Sequence, residues 1–205
     1  MNDRTNYVIV TPFKNEAEFI GYTLESVTKQ TILPAKWVLV DDGSTDDSIS
    51  RVNKFASEYS WISVIKLETD SLVRSGGSKV VRAFNRGYNS VLNEEWDFIV
   101  KLDADLTLPD DYFERILEYF SRNPKLGICG GEILNKYSET DLRPDRTDKY
   151  HVRGALKMIR KECWEKIGGF KETWNWDGLD IMEARFYGWD TESIDVKVIH
   201  HRPTS

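Results

Sequence analysis

An α/β domain built on a largely parallel sheet is the fold class this sequence predicts, on three observations. Short apolar runs of strand length alternate with amphipathic segments of helix length. Two of those runs end in acids, Asp41-Asp42 and Asp103-Ala104-Asp105, where an open α/β sheet presents its binding rim. The chain has 205 residues, 40% hydrophobic and 30% charged, enough for one packed domain and too apolar for a disordered one.

The elements follow in order. Tyr7–Thr11 reads as a first strand, stopped by Pro12, and Ala17–Lys29 as a helix with Phe19, Ile20, Leu24 and Val27 at helical spacing. Trp37–Val40 is a second strand. Ser44, Thr45 and Asp46 offer caps for a helix through Tyr59 that buries Ile49, Val52 and Phe55. Ile62–Leu67 is a third strand, and Gly76-Gly77 opens a loop into a helix running to Leu92. Phe98–Leu102 is a fourth strand; Pro109 starts and Pro124 closes the helix through Arg122. Leu126–Leu134 is strand-like, while Asn135–Tyr150 is polar and charged and is expected to be a mobile segment with no element of its own. Strand Gly154–Arg160, helix Lys161–Ile167, helix Leu179–Tyr187 and strand Ser193–Ile199 complete one domain of 1–205.

Composition excludes several classes. Asp and Glu total 34 against 28 Lys and Arg, a net charge of −6, which removes the basic surface that nucleic-acid binding needs. No apolar run reaches membrane-span length and no signal-peptide core opens the chain, so the expected location is cytoplasmic. Cys129 and Cys163 read as reduced, buried thiols.

The acidic strand ends carry the chemistry. Asp46 is the better helix cap, which leaves Asp42 free for a ligand. A turn after the fourth strand can bring Asp103 and Asp105 to one cation, and hard carboxylate oxygens suit Mg²⁺ or Mn²⁺ beside substrate phosphates. A calcium loop is excluded by Thr107 and Leu108, and neither a P-loop nor a dinucleotide fingerprint occurs. Asp103-x-Asp105-x-Thr107 also matches the nucleophile loop of the haloacid-dehalogenase phosphatases, with Asp103 as nucleophile and Asp105 as acid/base.

Taken in order, Thr11-Pro12-Phe13-Lys14-Asn15-Glu16, Val40-Asp41-Asp42-Gly43-Ser44-Thr45-Asp46, Ala83-Phe84-Asn85-Arg86-Gly87 and Leu102-Asp103-Ala104-Asp105 resemble the blocks of the family 2 glycosyltransferases. Gly168-Gly169-Phe170 and Trp176-Asp177-Gly178-Leu179-Asp180 through Gly188-Trp189 are similar to the acceptor-side blocks of that family. The resemblance implies a GT-A fold, a Rossmann-like sheet with a nucleotide-binding half (1–108) and an acceptor-binding half (109–205). It implies inverting transfer from a nucleotide diphosphate-sugar, with UDP favoured, to a hydroxyl of a saccharide or lipid-linked acceptor. The inner face of a membrane is then the alternative address. Many members continue beyond the position of His200-His201 into helices that approach a membrane or acceptor.

Carried onto this chain, the resemblance implies that Thr11, Pro12, Phe13 and Glu16 contact the nucleoside and that Asp42, beside Asp41, bonds the base. Lys79 faces the nucleotide, Asp103 reaches the ribose or the metal, and Asp105 ligates Mg²⁺ or Mn²⁺. Asp177 takes the base position, with Trp176 where the family usually has Glu; Asp180, one helical turn on, is the substitute. His200 or His201 supplies a terminal metal ligand, although adjacent side chains of an extended segment diverge. Trp174, Trp176 and Trp189 read as core aromatics or, for Trp174 and Trp176, as platforms for a sugar face, and Asn135–Tyr150 is a candidate lid. His151 and Arg153 either face the acceptor or bound that segment. Lys79, Arg74 and Lys101 can equally be surface charges. The rivals are the phosphatase and a non-catalytic saccharide-binding domain of the same fold.

Overall fold

Every position of Tyr7–Phe13 (β1) is buried, as a strand covered on both faces must be. In the computed structural model, which describes residues 5–68 and 78–202, alternate β1 residues enter two separate cores. Tyr7 and Ile9 pack with helices Ile20–Thr28 (α1), Ser48–Glu58 (α2) and Tyr112–Arg122 (α4). Val8 and Val10 pack with helices Ser78–Asn89 (α3), Lys161–Ile167 (α5) and Trp176–Phe186 (α6). Gly76-Gly77 and Arg74 lie outside the described residues.

Strands Lys36–Asp41 (β2), Ile62–Lys66 (β3) and Phe98–Leu102 (β4) join β1 in the parallel order β3-β2-β1-β4. Beyond β4 the order continues through Leu156–Arg160 (β8), Leu126–Lys136 (β6), Asp190–His200 (β9) and Leu106–Thr107 (β5). β8 is antiparallel to β4 and β6, whereas β6 and β9 run parallel. Both predicted halves therefore share one sheet. Among the described residues no helix is long and apolar enough to cross a membrane.

Several boundaries differ from the sequence reading, each for a physical reason. β1 runs through Pro12 to Phe13, because β4 pairs only with Tyr7–Val10 and leaves β1 one partner from Thr11 on. Asn135–Tyr150 is not wholly irregular: Asn135 and Lys136 finish β6, and Leu142–Pro144 (β7) folds back on it as a hairpin. α6 starts at Trp176 rather than Leu179. The β6–β9 ladder carries two irregularities, one between Leu126 and Ile128 and one between Gly131 and Glu132, where the partner on β9 jumps from Ile194 to Lys197.

Gly87 sets the distance of α3 from the sheet. A Cβ there would stand 2.5 Å from Val10 Cγ1 and 2.8 Å from Val40 Cγ2, so only glycine lets the helix lie this close. That contact brings the N-terminal turn of α3, with Lys79, to the rim of β1 and β2.

Candidate active site

Two loops at the carboxyl ends of β1 and β2 are laced together by short polar side chains. Asn15 adopts φ 55°, a left-handed conformation asparagine tolerates, and its Oδ1 accepts from Thr45 N at 2.8 Å. Asn15 N donates to Ser44 Oγ at 3.0 Å, Glu16 N to Ser48 Oγ at 2.7 Å, and Ala17 N to Asp46 Oδ2 at 3.0 Å. Asp46 Oδ1 accepts from Ser48 N at 3.0 Å, which opens α2 as a cap would. Asp41 Oδ1 accepts from Ser44 N at 2.7 Å.

These loops form one wall of a cavity of about 390 Å³. Pro12, Phe13, Lys14, Glu16 and Asp42 line it from the β1 and β2 ends, Lys79, Val80 and Ala83 from α3, and Asp103, Ala104 and Asp105 from the turn after β4. Arg202, just past β9, closes it and reaches Glu16 Oε2 at 2.5 Å. Burial pushes the Glu16 carboxyl up to about 7, Asp105 adding to the rise and Arg202 opposing it. The predicted donor residues Pro12, Phe13, Glu16, Asp42, Lys79 and Asp103 thus meet at one place.

Thr11 and Asp41 do not join them. Thr11 is fully buried and its Oγ1 accepts from Trp37 Nε1 at 2.9 Å, so the hydroxyl is spent inside the core. Asp41 is equally buried and holds its own turn; its Oδ2 has no partner among the described residues. Thr11 sits inside β1, short of the rim that Pro12 and Phe13 reach, and Asp41 turns its carboxylate back onto the loop that follows β2.

His200 stands beside Asp105, with Nε2 3.3 Å from Asp105 Oδ2 and Nδ1 3.0 Å from Asn135 Oδ1. The asparagine oxygen accepts from Nδ1–H, which directs Nε2 toward the carboxylate. Burial lowers the His200 pKa, but the hydrogen bond and charge of Asp105 outweigh it, and the net shift is upward. A carboxylate oxygen next to an imidazole nitrogen oriented by an amide is a donor set that fits Mn²⁺ or Mg²⁺ sharing its remaining positions with phosphates. Among the described residues no group of three or more His, Cys, Asp or Glu side chains is placed to hold an ion. His201 does not belong to this set. It lies just past the end of β9, where its Nε2 bonds Thr107 Oγ1 at 2.7 Å and its ring stacks on Tyr22 at 4.1 Å.

The start of α6 carries Asp177 in its first turn and Asp180 one turn on, in very different settings. Asp177 is partly exposed. Asp180 is 2% exposed, and Lys157 Nζ donates to its two oxygens at 2.8 and 2.7 Å. Burial pushes Asp180 up to about 6, with Lys157 opposing. Asp180 therefore does not fit the substitute-base role: an acceptor hydroxyl cannot reach it. Trp176 is 8% exposed and packs on Phe170, so it is core and no sugar platform; Trp174, 77% exposed, remains open to one. Lys101 is no surface charge either: it is 2% exposed and its ammonium donates to Asp103 Oδ1. His151 is partly exposed and lines a separate open depression with Arg146, Thr147, Asp148 and Tyr150. Arg153 pairs with Asp145.

Four site residues were missed from sequence: Lys14, Asn135, Lys157 and Arg202. Lys157 carried a legible signal, a lysine inside the apolar run Ala155–Ile159. Arg202 was legible as a cation two residues past a predicted metal ligand.

The profile of the family described as Glycosyl transferase family 2 matches residues 8–184. The chain is 29% identical over 201 residues to poly-beta-1,6-N-acetyl-D-glucosamine synthase of Staphylococcus epidermidis, covering 90% of this chain and 45% of that protein. It is 26% identical over 198 residues to the succinoglycan biosynthesis protein ExoA of Rhizobium meliloti, covering 83% and 54%. It thus spans about half the length of these curated relatives. Among solved structures, a mannosyltransferase from Pyrobaculum calidifontis in complex with GDP-Man and Mn²⁺ superposes with a TM-score of 0.75 at 17% identity, over 99% of this chain and 59% of that one. TarS of S. aureus, residues 1–349 in complex with UDP-GlcNAc, gives 0.73 at 16%, over 98% and 60%.

Proposed function

The chain belongs to glycosyl transferase family 2, and from that premise we propose that its cavity binds a nucleotide diphosphate-sugar, UDP-linked in the first instance, for inverting transfer to an acceptor hydroxyl. The observation that carries this reading is the meeting of Asp42, Lys79, Asp103 and Asp105 in one cavity, with His200 at the far side of Asp105. The phosphatase alternative does not stand beside the family match, which covers the chain from 8 to 184. The relatives named above make or build polysaccharides, so a saccharide or lipid-linked acceptor is the proposed second substrate.

Each side chain then has a task. Phe13 and Asp42 take the nucleoside, and Lys79 lies on the α3 side of the diphosphate. Asp105 and His200 would hold Mg²⁺ or Mn²⁺, and such an ion would offset the negative charge on the departing nucleoside diphosphate. Asp177 accepts the proton of the acceptor hydroxyl as that oxygen bonds the anomeric carbon and the bond to the diphosphate breaks. Asp180 is left out of the chemistry by its burial.

A thermal-shift panel of UDP, GDP and ADP, each with and without Mn²⁺, tests the donor reading. UDP raising the melting temperature in the presence of Mn²⁺ supports it. Indifference to every diphosphate overturns it.

A further inference from the structure

Lys101 and Lys157 are partners across the antiparallel pair β4–β8, directly opposite each other on one face of the sheet. Both are buried, at 2% and 0% exposure. Two like charges opposed in a core repel, and burial alone disfavours each of them. The surrounding groups offset this with specific partners. Lys101 donates to Asp103, on the donor side. Lys157 donates to both oxygens of Asp180 and, at 2.6 Å, to the backbone oxygen of Asp177. The Trp176 ring lies 5.4 Å from each ammonium, within cation–π range.

We infer that Lys157, together with Asp180, is a positioning pair: it fastens the N-terminal end of α6 at two points one turn apart and so aims the neighbouring Asp177 side chain at the acceptor. The inference rests on the base role proposed above for Asp177. A second contact supports it from below. A Cβ on Gly154, in the approach to β8, would stand 3.0 Å from Asp177 Cβ and 3.0 Å from Trp176, so the turn is pressed against backbone as well as tied to it. A lysine ammonium has three donors to satisfy, and a carboxylate is one partner. This one also takes the backbone oxygen of the residue that bears the base, two residues into the helix. Burial lowers the lysine pKa, and the charge and hydrogen bonds of Asp180 oppose that shift without reversing it.

The test separates holding the fold from aiming the base. In Lys157→Met/Asp180→Leu the buried ion pair becomes two apolar side chains, an exchange that commonly leaves stability unchanged or raises it. The tie to the Asp177 carbonyl is nevertheless lost. The expected result is an unchanged melting temperature, faster amide exchange confined to a peptide spanning 176–182, and kcat down about 100-fold, the scale of a misplacement of order 1 Å. Donor KM stays at its wild-type value, since Asp42 and Lys79 are untouched. Lys157→Met alone is the companion variant, expected to be destabilised as well as slow.

Activity is read as nucleoside diphosphate release from the donor sugar selected by the panel above, with an N-acetylglucosamine oligosaccharide as acceptor probe. Wild-type exchange in 176–182, or a wild-type kcat, in the double variant overturns the inference. Asp177→Asn run in parallel keeps the two readings apart. If it turns over normally, the base assignment falls and takes this inference with it. If it is silent while the double variant is fully active, only the positioning role falls.

Discussion

The loops that face the donor and the helix turn that carries Asp177 are held by opposite means. On the donor side, Asn15, Ser44, Asp46 and Ser48 share at least five side-chain-to-backbone hydrogen bonds, exposed or part-buried, none of them centred on a buried charge. On the acceptor side, one fully buried ammonium makes three bonds to a single helical turn. The first arrangement is redundant, and losing one bond removes a modest share. The second is concentrated, and removing its centre strands a charge in the core.

That contrast orders the expected effects. The largest is on rate. Asp177→Asn should lower sugar transfer by ~10²–10⁴-fold, the usual yield of a positioned general base, with donor affinity intact by calorimetry. A normal rate would move the base elsewhere. Next is stability on the concentrated side. Lys157→Ala leaves Asp180 buried and unpaired and should cost about 3–5 kcal/mol in urea unfolding. A cost below about 1 kcal/mol, the scale of one neutral bond, would erase the contrast between the two regions.

The metal side lies between these. Chelation with EDTA, or Asp105→Asn, should remove the part of the nucleotide-induced stabilisation that depends on Mn²⁺; at ligand a hundredfold above Kd the total is about 2.7 kcal/mol. His201→Gln should leave it in place, because His201 is engaged with Thr107 and Tyr22. On the redundant side, Asn15→Gly and Ser44→Ala should each cost about 1 kcal/mol, glycine keeping the left-handed backbone that alanine would strain. The smallest effect is none at all. Burial pushes the Cys163 thiol up to about 12 and raises Cys129 too, so neither should react with iodoacetamide at pH 8 until the protein unfolds.

What the amino-acid order made legible, and what it hid, divides along a related line. Strands with continuous apolar runs and acids at their ends were readable, because burial and rim position both follow from local pattern. Asp42 and Asp103 were found this way. Which of two adjacent residues faces the cavity was not readable, since it depends on register with strands distant in the chain. Thr11 against Pro12 turns on the β1 ladder, while Asp42 and His201 lie just past the ends of β2 and β9 and are placed by the turns that follow. The start of α6 was hidden differently. Gly178 and the tryptophans before it mask the helical pattern, while tertiary packing of Trp176 on Phe170 extends the helix back by a turn. Lys101 and Lys157 look like ordinary charges until the β4–β8 pairing sets them side by side.

The irregularity in β9 bears on how this site tolerates length changes. Between Gly131 and Glu132 the strand inserts two extra residues, and two is the number that preserves which face each later residue points to. His200 meets Asn135 and Asp105 only because parity survives that step. Insertions and deletions between Ile194 and Lys197 should therefore obey an even–odd rule. A two-residue deletion flattens the bulge and leaves the imidazole in place. A one-residue deletion turns every later side chain over and carries the imidazole away from Asp105.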